Sequence, residues 1–306
     1  MWSYTLRRCL ATIPTLIVVI SVCYFLLHAT PGGPFDSDRV VSAAVLANLQ
    51  AKYHLDLPLW QQYLLYLQSL AQGDLGASFR YADWTVNDLV GKALPISLTI
   101  GGIAIVLSLF IGVAVGIWAA IRQNSMVDHA LMFFSNAGSA FPSFVMGPVM
   151  ILIFAIMLGW LPAGGWNDFQ ARFMVLPIAL LTLINVSTIG RVMRGSLIEV
   201  LHSNFIRTAR AKGLPERVVI LRHAIKPAML PVVSTLGPLA ISSITSALVT
   251  ESVFSLPGIG KLIVNGAGNR DYTLVLGLVV LVTVLAVFMN LLVDLAYAAL
   301  DPKIRY

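Results

Sequence analysis

The run Pro257-Gly258-Ile259-Gly260-Lys261-Leu262 has glycine spacing that faintly resembles a phosphate-binding loop. Such a loop cradles phosphate oxygens with backbone N–H groups and needs glycine at 255 and serine or threonine at 262. The chain has Ser255 and Leu262 there, so the motif does not bind ATP. There is no HExxH, no GxSxG and no paired-cysteine motif. His28, His54, His129, His202 and His223 are scattered rather than grouped with carboxylates at ligand spacing. The sequence therefore predicts no catalytic residue, metal site or cofactor of its own.

What remains is hydrogen-bonding chemistry within apolar surroundings: Asn136, Ser139, Asn185, Ser187, Thr188, Ser242, Ser243, Thr245, Ser246, Thr250, Asn290 and Asp294. Ser242, Ser246 and Thr250 recur every four residues and share one helix face. Two readings of this set stand. Small polar residues enrich contacts between packed spans. Alternatively, Asn136, Ser139, Asn185, Thr188, Ser242, Ser246 and Thr250 line a translocation path. Asp294 is the only acid well inside an apolar run, and near the end of that run a structural pairing is expected of it. The lack of other buried charges argues against a proton- or sodium-driven carrier, and neither inverted repeats nor buried ion ligands are evident. An intramembrane enzyme would need a nucleophile with its base, or a metal constellation. A purely structural scaffold remains as a bland alternative.

The elements that must hold these groups follow from composition. Hydrophobic residues make up 58% and charged residues 11%, against about 45–50% and about 25% in soluble domains, and mean hydropathy is +0.84. Six runs are long enough to span a bilayer at roughly 20 residues each: Cys9–Ala29, Ile96–Ile121, Leu131–Trp160, Phe173–Ile189, Leu230–Val249 and Thr273–Ala299. The third holds Pro142 and Pro148, so it is expected to kink, tilt or lie partly at the interface. The runs are continuous rather than alternating, so the fold class is all-α integral membrane. The first run is too long for a signal-peptide core and reads as a retained anchor. Cys9 and Cys23 are about 21 Å apart along it, too far to bond.

Charge orients the chain. Arg7, Arg8, Arg122, Arg191, Arg194, Arg207, Arg210, Lys212, Arg217, Arg222, Lys226, Lys303 and Arg305 fall on one side, and Asp36, Asp38, Asp56, Asp74, Asp83, Asp88, Asp168, Glu251 and Asp271 on the other. The positive-inside bias puts both termini in the cytoplasm. It also accounts for a pI of 9.5 without nucleic acid, since no aromatics interleave the basic residues for base stacking. The expected organisation is an anchor over 1–29, an external helical segment over 30–95 and a core of five spans over 96–306. The external segment opens with Pro31-Gly32-Gly33-Pro34. Asp56 is expected to cap a helix near Pro58 that carries Trp60, Leu64, Leu67 and Ala71 on one face and ends at Gly73. Asp83 or Thr85 is expected to cap another running toward Lys92. The segment is either a cap packed on the bundle or a docking surface for an external partner.

Between two spans on the cytoplasmic side lies a basic stretch, Arg191–Lys226. Ser203 or Asn204 can cap a helix through Lys212, Gly213 supplies a left-handed stop, and Pro215 with Glu216 opens the next helix. Ala209, Ala211 and Gly213 keep the surface low enough to enter a groove on another protein. A solvated basic face would explain the charge, but not the helix, glycine and proline together.

Arg207-Thr208-Ala209-Arg210-Ala211-Lys212-Gly213, with Pro215 and Ala224–Pro227, resembles the EAA motif of ABC-importer permeases. Within them the chain looks like the peptide and nickel family, most like the B-type subunits of oligopeptide permeases. The residues that carry this are His202-Ser203-Asn204-Phe205-Ile206 through Pro215, Phe254–Gly260, Asn269-Arg270-Asp271-Tyr272 and Asp301–Tyr306. Arg207 and Thr208 stand where the general motif has Glu and Ala, and Pro227 is about one residue displaced, which narrows the branch. The resemblance implies a type I permease architecture in a bacterial inner membrane. It also implies a second permease subunit, two cytoplasmic ATPases that bind ATP and Mg, an external peptide-binding protein and oligopeptide cargo, with dipeptides, nickel chelates or glutathione-like compounds as alternatives. Ser203, Asn204, Phe205, Arg207, Ala209, Arg210, Gly213, Leu214 and Pro215 would couple to the ATPase through a helix over 203–213. Glu251, Leu256, Pro257, Gly258 and Gly260 would form a loop that touches the receptor and guards the outer mouth, or else a tight turn packed on the bundle.

Overall fold

The computed structural model describes residues 2–30, 53, 55–81 and 83–300, without the side chains of 2–12, 244–247 and 297–300. Within these the architecture is helical. In chain order the helices are α1 (Trp2–Ala29), α2 (Leu59–Ala71), α3 (Val86–Ile121), α4 (Met126–Ala140), α5 (Ser143–Met150), α6 (Ala171–Leu201), α7 (Asn204–Ala211), α8 (Ile225–Val253), α9 (Ile259–Gly268) and α10 (Tyr272–Leu300). A wider π-helical stretch, Ile151–Met157, continues α5, and another, Val219–Ala224, leads from the single turn Glu216–Val218 into α8. Four helical stretches are long and apolar enough to cross a membrane: α3, α6, α10 and the path from Glu216 through α8. The α4–α5 pair makes a fifth if counted as one broken span, and α1 carries the shorter apolar stretch Ile13–Ala29.

Two expected boundaries change. The third expected span breaks between α4 and α5 with a bend of 102°. Phe141 adopts extended backbone, φ −108° and ψ 139°, as residues before proline do, and Pro142 sits at the start of α5. The short helix expected toward Lys92 is instead the first part of α3, which runs 36 residues without interruption. Thr85 caps it. The Asp88 carboxylate accepts from Thr85 N–H and Oγ, while Thr85 Oγ accepts from Asp88 N–H at 3.1 Å, a reciprocal capping box.

By internal packing the chain forms two units, Met1–Pro95 with Lys261–Val284, and Ile96–Gly260 with Leu285–Tyr306. In the first, Asp271 is fully buried. It accepts from Ser78 Oγ, from Phe79 N–H at 3.2 Å and from Leu274 N–H at 3.2 Å. One carboxylate thus caps α10 and ties it to the 78–80 turn within this unit. In α2 the predicted face is turned outward, with Trp60 59% and Leu64 54% exposed. Tyr63 and Tyr66 take the inner side against Tyr24 of α1, at ring distances of 5.3 and 5.8 Å, and the Tyr63 hydroxyl meets Ser21 Oγ at 2.6 Å. Asp56 does not cap α2. Pro58 holds that position, and Gln62 Nε2 reaches back to Leu55 and Leu57 carbonyls.

The second unit is built around α6, the most buried of the crossing helices. One cluster gathers Ile100, Met150, Leu180, Leu181, Phe254 and Leu256; the other joins Ala120, Ile189, Met193, Leu197, Ile206, Val219 and Val232. Three glycines bring neighbouring helices onto α6 without a side-chain layer. A Cβ on Gly116 would lie 2.7 Å from Gly190 O, one on Gly112 2.8 Å from Ile189 Cβ, and one on Gly138 2.6 Å from Leu183 O. Such small-residue contacts are how helices approach closely where lipid gives no hydrophobic drive to associate.

Candidate functional site

The helix α7 is short, and tertiary contacts rather than length must hold it. Ile206 and Ala209, three apart and so on one face, are both buried in the second cluster against α6 and the start of α8. Ala209 is therefore an anchor, not part of the exposed surface. Asn204, Phe205, Arg207, Thr208, Ala211 and Lys212 point outward, with Phe205 51% exposed. Ser203 stands at the cap position in extended backbone but makes no side-chain cap bond; its Oγ donates to Val200 O at 2.6 Å. It finishes α6 rather than capping α7 with its side chain.

The exit from α7 turns at Gly213, whose φ of +77° is left-handed, as a helix-terminating glycine allows at little cost. Arg210 closes the turn with Nη2 to Glu216 Oε1 at 2.6 Å and Nε to Oε2 at 3.1 Å. Glu216 raises the Arg210 guanidinium further above its usual value, chiefly through these hydrogen bonds. Both partners are exposed, so the pair adds little stability; its effect is to fix the angle between α7 and the next turn. Leu214 and Pro215 remain on the surface.

The expected path residues separate into distinct sets. Asn136, Ser139 and Ser187 join across the α4–α6 seam: Ser139 Oγ meets Ser187 Oγ at 2.7 Å, and Asn136 Oδ1 accepts from Ser187 Oγ at 3.3 Å and from Arg191 Nη1 at 3.2 Å. Asn185 instead donates to Ser243 Oγ at 2.9 Å, buried between α6 and α8. Thr188 is half-buried. Ser242 is exposed and bonds Leu239 O at 3.0 Å. Thr250 is fully buried. The Ser246 side chain lies outside the described residues. Asp294 is half-buried on α10. An apolar cavity of ≈ 820 Å³ beside α3, α5 and α6 is lined by residues such as Leu107, Phe154 and Met174, with Thr182 as its one hydroxyl. Such a wall suits hydrocarbon rather than peptide bonds.

An ion pair with a buried carboxylate also stands here, and no sequence spacing marks it. Asp128, 1% exposed, receives Arg194 Nε at 2.7 Å and Nη2 at 2.6 Å, and also Asn124 N–H at 2.9 Å. This bidentate clasp locks the start of α4 to α6 beside the α3–α4 turn.

In the outer loop, Glu251, Leu256, Gly258 and Gly260 are buried and Pro257 is exposed. Glu251 accepts from Ser97 Oγ and from Gly260 N–H at 2.7 Å, and Ser97 Oγ accepts from Ile259 N–H at 2.9 Å. A carboxylate thus occupies the place a phosphate would need beside the Gly260 N–H. Side chains on Gly258 or Gly260 would run into Glu251 or the Leu248 backbone.

A core of apolar helices long enough to cross a membrane thus carries a short helix, α7, packed against α6 and the start of α8. Residues 112–306 match the binding-protein-dependent transport system inner membrane component family, and residues 1–85 match that system's membrane component N-terminal model. The chain belongs to this family of inner membrane transport components. It is 53% identical, over the whole of both chains, to the oligopeptide transport system permease protein OppB of Haemophilus influenzae, and 52% to that of Salmonella typhimurium. It is 38% identical to the dipeptide transport system permease protein DppB of Bacillus subtilis, covering all of this chain and 98% of the relative. Among solved structures it is similar to a chain of the MetNI methionine ABC transporter in an inward-facing conformation, with a TM-score of 0.59 at 16% identity, covering 70% of this chain and 96% of that one. That likeness concerns the fold.

Proposed function

We propose that this chain is a permease subunit of an ATP-driven, binding-protein-dependent importer and forms, with a second permease subunit, a path for oligopeptides. The observation that carries this is α7: its inner face is locked into the core through Ile206 and Ala209, while Phe205, Arg207 and the Gly213–Pro215 turn are presented outward. A helix fastened on one side to two spans and open on the other transmits a push as a rigid-body movement. Two cytoplasmic ATPases supply that push, binding ATP and Mg themselves. Arg210 and Glu216 keep the helix at a fixed angle to α8 while it is pushed. Both termini lie in the cytoplasm, where the basic residues concentrate, and an external binding protein delivers cargo to the outer mouth. There the Glu251-held loop shapes the entrance, with Pro257 as its exposed contact. The full-length similarity to oligopeptide permeases supports peptides of several residues as cargo, and the 38% relative supports dipeptides as the second choice.

The test is to purify the native complex and reconstitute it with its external receptor and a panel of peptides. Co-purifying ATPases and peptide-stimulated hydrolysis with uptake are expected. Absence of an ATPase, or hydrolysis and uptake indifferent to peptide, refutes the reading.

A further inference from the structure

Two arginines of α6, one turn apart, are treated differently. Arg194 is matched by the buried Asp128 carboxylate. Arg191 is exposed, no carboxylate pairs with it among the described residues, and one of its donors is used, to Asn136 Oδ1 at 3.2 Å. The direction of its side chain is informative. Arg194 facing Asp128, and Val186 O accepting from Ser135 Oγ at 3.4 Å, set the antiparallel register of α4 on α6. In that register residue 191 lies opposite residues 130–131, so reaching Asn136 carries the guanidinium roughly five residues, or about 7–8 Å, further along α4. It climbs away from the Asp128 end of the seam, toward the α4–α5 break. An arginine near a span end ordinarily extends toward the headgroups; one directed inward must face protein or water.

No carboxylate pairs with Arg191 or Asn136 among the described residues. Asn136 Oδ1 is already taken by Arg191 and Ser187, which leaves its NH2 for another acceptor. Beside it Ser139 is exposed and paired with Ser187 Oγ. Four guanidinium N–H groups and the amide NH2 have no acceptor among the described residues, a donor set suited to a planar carboxylate taken bidentately.

We propose that Arg191 and Asn136 form a subsite of the translocation path that holds a carboxylate of the cargo, the C-terminal carboxylate of a peptide in passage. This rests on the permease reading. The subsite makes the membrane step, and not the receptor alone, selective for a free C-terminus. The Ser139–Ser187 pair offers hydroxyl oxygens as acceptors to the N–H of the neighbouring peptide group.

The experiment uses the reconstituted complex with its receptor and ATPases, and one peptide without Asp or Glu as the free acid and as the C-terminal amide. The acid-to-amide uptake ratio is compared in the unaltered complex, Arg191→Gln, Arg191→Lys and Asn136→Asp. The receptor is common to all, so its own preference cancels. We expect the ratio to fall about tenfold in Arg191→Gln, the loss of one charge-assisted contact. Arg191→Lys should keep part of it. Asn136→Asp, which neutralises the guanidinium from within, should lower it as Arg191→Gln does. An unchanged ratio with uptake persisting overturns the subsite while leaving the permease reading intact. Equal loss of both peptides in Arg191→Gln and Asn136→Asp marks a structural role and also overturns it. If uptake of both peptides instead follows the anionic-lipid content in the unaltered complex, and not in Arg191→Gln, the partner is a lipid phosphate and the proposal fails. No peptide-stimulated hydrolysis or uptake in the unaltered complex removes the permease reading itself.

Discussion

Replacing Gly213 with valine isolates the backbone conformation of the turn after α7 from everything around it. The position has φ +77°, and a Cβ built there meets nothing within 4 Å. The cost is therefore conformational rather than steric, about 1–2 kcal/mol for an L-residue held left-handed. That corresponds to a shift of roughly 5–30-fold against the native turn. No core contact is lost, because Ile206 and Ala209 still anchor α7. The expected outcome is normal membrane insertion and abundance, with peptide-stimulated ATP hydrolysis and uptake in proteoliposomes each reduced several-fold, and less ATPase retained on purification. Gly213→Asn, which tolerates the left-handed region, should stay near the unaltered protein. Gly195→Ala on α6, also with nothing within 4 Å but at helical φ, should be neutral. Full transport in Gly213→Val, or an equal defect in Gly195→Ala, would refute the reasoning that the left-handed turn positions the coupling surface.

Gly116→Leu forces a side chain onto the Gly190 carbonyl and Met193 Cβ; overpacking of this kind costs about 1–3 kcal/mol, and a lower thermal midpoint in detergent with reduced yield is expected. Asp128→Asn leaves Arg194 without its carboxylate and should cost about 1–3 kcal/mol, less than a fully buried pair because Arg194 is 28% exposed; a double-mutant cycle with Arg194→Gln, read by thermal unfolding, should show coupling well above zero. Asp271→Ala strands the buried Ser78 hydroxyl and the Leu274 N–H, at about 1–3 kcal/mol for each buried polar group left unpaired, and protease cutting within residues 76–84 should accelerate. Glu251→Ala removes the acceptor of Ser97 Oγ and Gly260 N–H and should increase labelling of a cysteine placed at Pro257 by a membrane-impermeant maleimide.

Features legible in the sequence were those set by local chemistry. Apolar run length marked helices long enough to cross a membrane, although six runs were expected and four qualify among the described residues, or five with the broken pair; Gly213 with Pro215 marked the turn after α7, and Asp83 or Thr85 marked a helix start that Thr85 caps. Pro142 announced a break but not its size, because a proline removes an N–H without fixing where the chain goes next. Pairings across helices were not legible. Asp128 with Arg194, and Asp271 with Ser78, are 66 and 193 residues apart, and no spacing rule links positions so separated. The outward turn of Trp60 and Leu64 on α2 was not legible either, because their spacing shows that they share a face and not what that face meets. The path residues shared a chemical type, and type alone does not decide that Ser139 faces Ser187, Asn185 faces Ser243 and Ser242 faces the surface.

The three glycines that seat α3 and α4 on α6 also determine what kind of mechanical object this part of the protein is. Slack between helices resides in the side chains that separate them, which tilt and change rotamer when one helix shifts. At Gly112, Gly116 and Gly138 that upholstery is missing, and atoms of one helix lie directly on the backbone or Cβ of its neighbour. Residues 183–193 of α6 are therefore held to α3 and α4 with little give, so the polar seam at Asn136 and Arg191 lies on a stiff part of the second unit.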